Sequence, residues 1–348
     1  MVDVIVIAVT IATAVGFSVW YARERRMRRT HPMAGGVHTD IQLPHSAEFE
    51  LYHNDFSLCS KKIRMCLAEL GLPYLAHHVD LIETGSYETL SRHFLAVNPA
   101  GLVPVLVHDG HPVYESHEIL LYAAEHAESA VTLIPGDAAA HALMQHWIDR
   151  SSLTGDDPMK ALAATAGNCV PGLTFPLFAA MIRDIPAHRI FEGLLFHRLK
   201  VRPLAFLAFK LFGLSRIAAV APMRRLIVSS RAEMARHLAA LERQIDQSGG
   251  AWICGSEFTL ADVSWAVIFE RLREACWTDV LLTPALLAYW RRLEARPSYG
   301  VAMTAHRHPL VSAGTARIRD EIARGGSLAA LYSIPTKSDQ KTKDSHDD

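Results

Sequence analysis

The chain has 348 residues, half of them apolar, with a formal net charge of −1. That length leaves room for two compact domains plus appendages, and the balanced charge excludes general nucleic-acid binding, which rewards concentrated positive charge. Five cysteines (59, 66, 169, 254 and 276) show no CxxC spacing, a usage that fits a reducing compartment better than a disulfide framework.

Residues 4–22 form an almost unbroken apolar run without a charge. As a helix it would be about 28 Å long, close to the hydrocarbon thickness of a bilayer. Trp20 and Tyr21 stand at its end, where interfacial aromatics belong, and Arg23, Arg25, Arg26, Arg28 and Arg29 follow at once. A cleaved signal peptide carries its positive charge before the apolar run, whereas here Asp3 precedes it. The expectation is a single-pass transmembrane anchor over residues 1–29, including its basic flank, with everything beyond it in the cytoplasm. Residues 30–47, rich in Pro, Gly and His without a sustained period, read as a tether.

The next segment, residues 48–128, alternates strand and helix patterns. Phe49 to His53 alternates as a half-buried strand, and Cys59 to Gly71 has helical spacing through Ile63, Cys66, Leu67 and Leu70. A strand at Tyr74 to Asp80 and a helix at Ser86 to Val97 follow. Pro104 to His108 turns at Asp109-Gly110 into His111 to Tyr114, a hairpin signal, and Ser116 to His126 closes the unit as a helix. The order βαβ, α, ββα predicts a thioredoxin-like α/β domain. The stretch from Asp55 to Lys62 is its chemical focus, because a strand leading into a helix leaves free N–H groups that favour an anion. Cys59 stands there with Ser57 and Ser60 as hydroxyl donors. Val103-Pro104 admits two readings, a cis bond presenting Val103 to an extended peptide or a plain tight turn. Glu115 precedes Ser116, an expected N-cap at a second anion-favouring helix start.

Residues 129–137 form a linker marked by Pro135-Gly136, and residues 138–310 read as an all-helical domain. Thr259 and Asp262 have the spacing of a capping box, with Phe258 as staple, which assigns them structural work. Within this domain, residues 181–231 form a basic-hydrophobic insertion, with ten basic against two acidic residues from Arg183 to Arg231. Leu204 to Ala221 is strongly apolar, but Lys210 and Arg216 interrupt it, which argues against a second span. Two readings stand: a helix lying on an anionic leaflet, or a hydrophobic insertion lining a substrate pocket. Residues 311–348 are expected to be a partly disordered tail. The nineteen histidines supply no convincing converging ligand set: alternation sends His77 and His78 to opposite faces, and His306 and His308 lie in a loop. No metal site is expected.

The segments LYHNDFSLCSKKIRMCLAELGLPY, NPAGLVPVLVHDGHPVYESHEILLY, LIPGDAAAHAL and SEFTLADVSWAVIFERL together resemble the glutathione S-transferase superfamily over roughly residues 49–306. The resemblance implies that glutathione is the co-substrate, that Val103 beside a cis Pro104 pairs with its backbone, and that Glu115 and Ser116 hold its γ-glutamyl end. Ser57-x-Cys59 is similar to the zeta-like group, which includes reductive dehalogenases. By that likeness Ser57 stabilises the glutathione thiolate and Cys59 resolves a glutathionylated product by exchange. Leu58 and Lys61 depart from that group's serine and aromatic, which removes the basis for expecting isomerase activity. Tyr52, on the first strand, is assigned to core or surface rather than to catalysis. The expected function is therefore a membrane-anchored glutathione transferase acting on a small apolar electrophile, homodimeric by analogy. The rival is a non-catalytic glutathione-binding membrane adaptor.

Overall fold

The computed structural model describes residues 2–333, with residues 130 and 156 excepted. It opens on α1 (Val2–Met27), whose residues 3–20 are all exposed. The α/β domain contains β1 (Gly36–Val37), β2 (Phe49–His53), α2 (Leu58–Leu70), β3 (Leu75–His78), α3 (Arg92–Val97), β4 (Val105–His108), β5 (His111–Tyr114) and α4 (Ser116–His126). The helical region comprises α5 (Ala138–Arg150), α6 (Ala166–Met181), α7 (Ala187–Phe196), α8 (Val201–Phe212), α9 (Leu214–Ile217) and α10 (Ala221–Ser248). It continues through α11 (Leu260–Glu274), α12 (Thr278–Leu281), α13 (Pro284–Glu294), α14 (Pro297–Tyr299), α15 (Pro309–Arg324) and α16 (Ser327–Tyr332).

The sheet runs β1-β5-β4-β2-β3, with β2 parallel to β3 and the other pairs antiparallel. Its two faces are covered separately. α2 and α4 bury Ile63, Met65, Leu67, Ile119 and Leu120 in a core continuous with the helical region. On the other face, Phe94 and Val97 of α3 close over Val105, Val107 and Tyr114. Tyr52 belongs to this second layer, stacked on His77 with 4.4 Å between ring centroids. The capping box at Thr259 and Asp262 forms, and Asp262 also accepts hydrogen bonds from the Ile253 amide and the Tyr289 hydroxyl, at 3.1 and 2.8 Å. Both residues hold structure.

Two expectations are corrected. The segment expected as a tether, residues 30–47, supplies the edge strand: Gly36 and Val37 pair with Tyr114 and Val113, and the Leu43 N–H bonds to Gly110 O at 2.8 Å. A two-residue strand held through its backbone leaves no side-chain period to read. The segment expected as a tail also folds as far as residue 333. Helix α15 lays Val311 and Ile318 into the core, and α16 buries Leu328, Leu331 and Tyr332. Gly314 permits the close approach of α15 to α6, since a Cβ there would stand 2.9 Å from Leu177 and Met181 side chains. The disorder expected of residues 333–348 lies, beyond residue 333, outside the described residues.

Candidate active site

The strand registers bring the chemical residues to one edge. Tyr52 of β2 faces Val105 of β4, and Leu106 of β4 faces Val113 of β5. The loop after β2, the Val103-Pro104 entry to β4 and the Glu115-Ser116 exit from β5 therefore share one end of the sheet. The Val103-Pro104 bond is cis.

Asn54, which sequence reasoning passed over, shapes the turn. Fully buried, it accepts the Phe56 and Ser57 N–H groups at 2.8 and 3.2 Å and donates to Val79 O and Thr84 Oγ1, each at 2.9 Å. An Asn shortly before a helix start was its one visible signal. Ser57 is the N-cap of α2, its Oγ accepting the Ser60 N–H at 3.2 Å. That bond uses the hydroxyl as acceptor and leaves its proton to donate. Cys59, a partly exposed free thiol, stands at the second helical position. No acidic residue occupies the first turn of α2, so the helix start retains its preference for an anion.

Lys62 lies one turn beyond Cys59 and is 5% exposed. Among the described residues its ammonium has neither a carboxylate nor a hydrogen-bond partner. Burial lowers its pKa, and a negative charge at Cys59 works in the opposite sense. His117, on the facing helix α4, meets Ser152 Oγ at 2.5 Å through Nε2. Ser116 is half-buried and is the first residue of α4. The expected capping role of Ser116 is corrected: the cap position belongs to exposed Glu115, whose side chain makes no cap hydrogen bond. Glu115 has φ 65°, a conformation that costs a non-glycine residue about 1–3 kcal/mol. Gly35 permits the edge segment to pass alongside; a Cβ there would stand 3.3 Å from the Glu115 side chain.

The acceptor side is aromatic. Phe56 is 5.8 Å from Phe178 of α6, which is 5.7 Å from Phe206 of α8, centroid to centroid. The Arg271 guanidinium lies 3.6 Å over the Phe56 ring and donates to Phe56 O at 2.5 Å. Beneath the loop, buried Lys61 pairs with buried Glu274, which also meets Arg271 Nε at 3.0 Å. This accounts for a lysine at position 61: it ties α2 to α11.

Beside the loop, His53, Asp55 and His78 bring ligand-type atoms within 4.8 Å of one another, and His306 Nδ1 is 2.8 Å from Asp55. The expectation that histidines do not converge is corrected here, because folding joins strand and loop residues 251 positions apart, as in Asp55 and His306. The donors nevertheless suit a cation poorly. Arg64 donates to His53 Nδ1 at 3.1 Å, so the proton of neutral His53 sits on Nε2 and no lone pair is left for a metal.

Burial and the Arg64 charge hold His53 at about 3; burial and Lys62 hold His117 at about 4. Both are neutral in the fold, whereas the ordinary value is 6.5. Below that value the unfolded chain takes up two protons that the fold refuses. Stability is expected to fall from pH 6.5 to 4 by about 1.4 kcal/mol per pH unit for each histidine. Denaturant melts across that range should show at least this slope, since burial and Arg202 also hold His197 at about 4, and His53→Gln should remove about half of the contribution from the His53 and His117 pair.

Residues 56–126 match the family profile "Glutathione S-transferase, N-terminal domain", and residues 195–298 match "Glutathione S-transferase, C-terminal domain". The 2,5-dichlorohydroquinone reductive dechlorinase of Sphingobium indicum is 27% identical, covering 72% of this chain and 80% of that relative. The tetrachloro-p-hydroquinone reductive dehalogenase of Sphingobium chlorophenolicum is 24% identical, covering 73% and 95%. In fold, the chain is similar to the beta-etherase LigF from Sphingobium sp. strain SYK-6, with TM-score 0.57 and 21% identity over 74% of this chain and all of that one. With both domain profiles in chain order on the observed fold, the chain belongs to the glutathione S-transferase superfamily and is an enzyme of the glutathione transferase type.

Proposed function

We propose that the chain is a membrane-anchored glutathione transferase whose catalytic domains face the cytoplasm. In this reading it works as a homodimer on a small apolar aryl electrophile, coupling glutathione attack to exchange at Cys59. The observation that carries the reading is the pairing of Ser57 and Cys59 at one anion-favouring helix start, with the Lys62 ammonium buried one turn beyond. The relatives named for reductive removal of halogen from hydroquinones support the choice of acceptor.

In this mechanism, Ser57 donates its hydroxyl hydrogen to the glutathione thiolate. Val103 pairs with the cysteinyl backbone, and Glu115 and Ser116 hold the γ-glutamyl end. The thiolate displaces halide from the aryl carbon, forming an aryl–sulfur bond. Cys59 thiolate then attacks that sulfur; the aryl carbon leaves with the electron pair and takes a proton, and a Cys59–glutathione disulfide remains. A second glutathione thiolate frees Cys59, so two glutathiones are oxidised to their disulfide for each halogen replaced by hydrogen. Lys62 supplies the counter-charge to the sulfur anion at Cys59.

The span reading for α1 rests on its unbroken exposed apolar surface and the arginines that follow. Full-length protein in vesicles should be assayed with glutathione and aryl halides, aryl ethers or glutathione mixed disulfides. Halide release matched one-to-one by glutathione disulfide is the expected result. Glutathione binding without turnover on any of the three classes would overturn the assigned reaction.

A further inference from the structure

Helix α8 has two apolar faces. Pro203, Phe206 and Phe209 are buried, with Phe206 reaching Phe178 and so the wall beside Ser57. On the outer face Val201 is 78% exposed, Leu204 52%, Leu211 70% and Phe212 53%, a spacing that aligns them along one side of the helix. Phe191 of α7 and Leu199 between the helices extend this exposed apolar surface. A monomer in water rarely leaves such a surface uncovered.

The packing of α1 indicates what covers it. The last turns of α1 dock on α7: Trp20 and Phe196 meet edge to face at 6.3 Å, and the Arg28 guanidinium lies 4.6 Å over Phe196 while pairing with Glu192 at 2.7 Å. Buried Glu24 pairs with Arg28 at 3.1 Å and also with Arg92 of the α/β domain. The end of the apolar span is thus fixed to both domains. Positive charge gathers at the same junction. Arg25 stands near enough to Lys200 for its charge to act on that ammonium, which donates to Leu194 O and Leu195 O at 2.7 and 3.0 Å. Arg189 and Arg198 are exposed on the same segment. Apolar side chains framed by cations match the chemistry of an anionic lipid surface.

We propose that the outer face of α7 and α8 lies in the interfacial layer of an anionic leaflet, with the catalytic domains resting on the bilayer beside the α1 span. This rests on the reading of α1 as membrane-spanning. It makes α8, one helix about 10 Å thick, the partition between lipid and the aromatic wall at Phe56. The acceptors favoured would be apolar compounds dissolved in the membrane.

The test uses full-length protein carrying an environment-sensitive fluorescent amino acid at position 11, 204 or 211, in phosphatidylcholine vesicles with or without phosphatidylserine. Emission at 204 and 211 is expected to fall roughly twofold with lipids bearing a quencher near the headgroup, more strongly with phosphatidylserine present. Emission at 11 should respond to a quencher deep in the acyl chains. Quenching at 11 without quenching at 204 and 211 would overturn the proposal and leave the anchor standing. An unquenched position 11 would remove the anchor reading itself. Shielding of 204 and 211 from a water-soluble quencher while lipid-borne quenchers leave both unquenched would mean that protein covers the face, which also overturns the proposal.

Discussion

Cys59→Ser is expected to stop turnover after glutathione has been transferred to the aryl ring. With a chlorinated hydroquinone, one equivalent of chloride per site should appear together with one equivalent of the glutathionyl conjugate, in place of the dechlorinated quinol. Mass spectrometry of the products and of the protein checks this, since the wild type alone should carry a Cys59–glutathione disulfide in mid-reaction. Ser57→Ala should behave differently. Removing one hydrogen-bond donor from a reacting anion typically lowers kcat by about 10²–10³, and the chemistry that remains should still yield dechlorinated product. Ser57 also caps α2, so the same variant should lose about 1 kcal/mol of stability, or about 1–2 °C in Tm for a chain of this size. A loss of rate no larger than that stability change explains would remove Ser57 from the chemistry. Unchanged products from Cys59→Ser would leave simple conjugation.

Glu274→Ala is expected to be the most damaging single change in the domain interface. Glu274 lies between buried Lys61 and buried Arg271. Its removal leaves two cations without their counter-charge, a situation that costs about 3–5 kcal/mol. Lys61→Met should be milder, because Glu274 then keeps its contact with Arg271 Nε at 3.0 Å. Urea unfolding of the two variants should therefore rank them clearly, and changing both Lys61 and Glu274 to methionine should recover only the part of the loss that comes from Lys61, since Arg271 still lacks its carboxylate. Equal destabilisation by both single changes would mean that Lys61, and not the shared carboxylate, holds α2 to α11.

These two sites show different degrees of legibility. Ser57 and Cys59 could be singled out because their meaning is local: a short strand, a break and a helix start lie within ten residues, and helix-start chemistry needs no distant partner. The cap at Ser57, the stop at Gly71 with φ 66° and the capping box at Thr259 follow from the same kind of information. Lys61 and Lys62 are adjacent residues of one type in the sequence. Their different surroundings arise because α11 presents Glu274 to the first, whereas α4 presents His117 to the second. Nothing within a helical turn of either lysine specifies that difference.

The sequence by itself determined the order of elements, the thioredoxin-like domain followed by helices, the apolar first helix and the residues of the helix-start turn. All of these rest on periodicity, caps and turns within a few neighbouring positions. Tertiary structure alone decided that residues 36–37 close the sheet edge, that residues 309–332 pack as helices, and that His53, Asp55, His78 and His306 meet. It also decided that α8 turns one apolar face to Phe178 and leaves the other uncovered. The physical reason is the same in each case: backbone pairing, close helix approach and burial of charge depend on which distant surface arrives opposite, and short-range patterning carries no record of that partner.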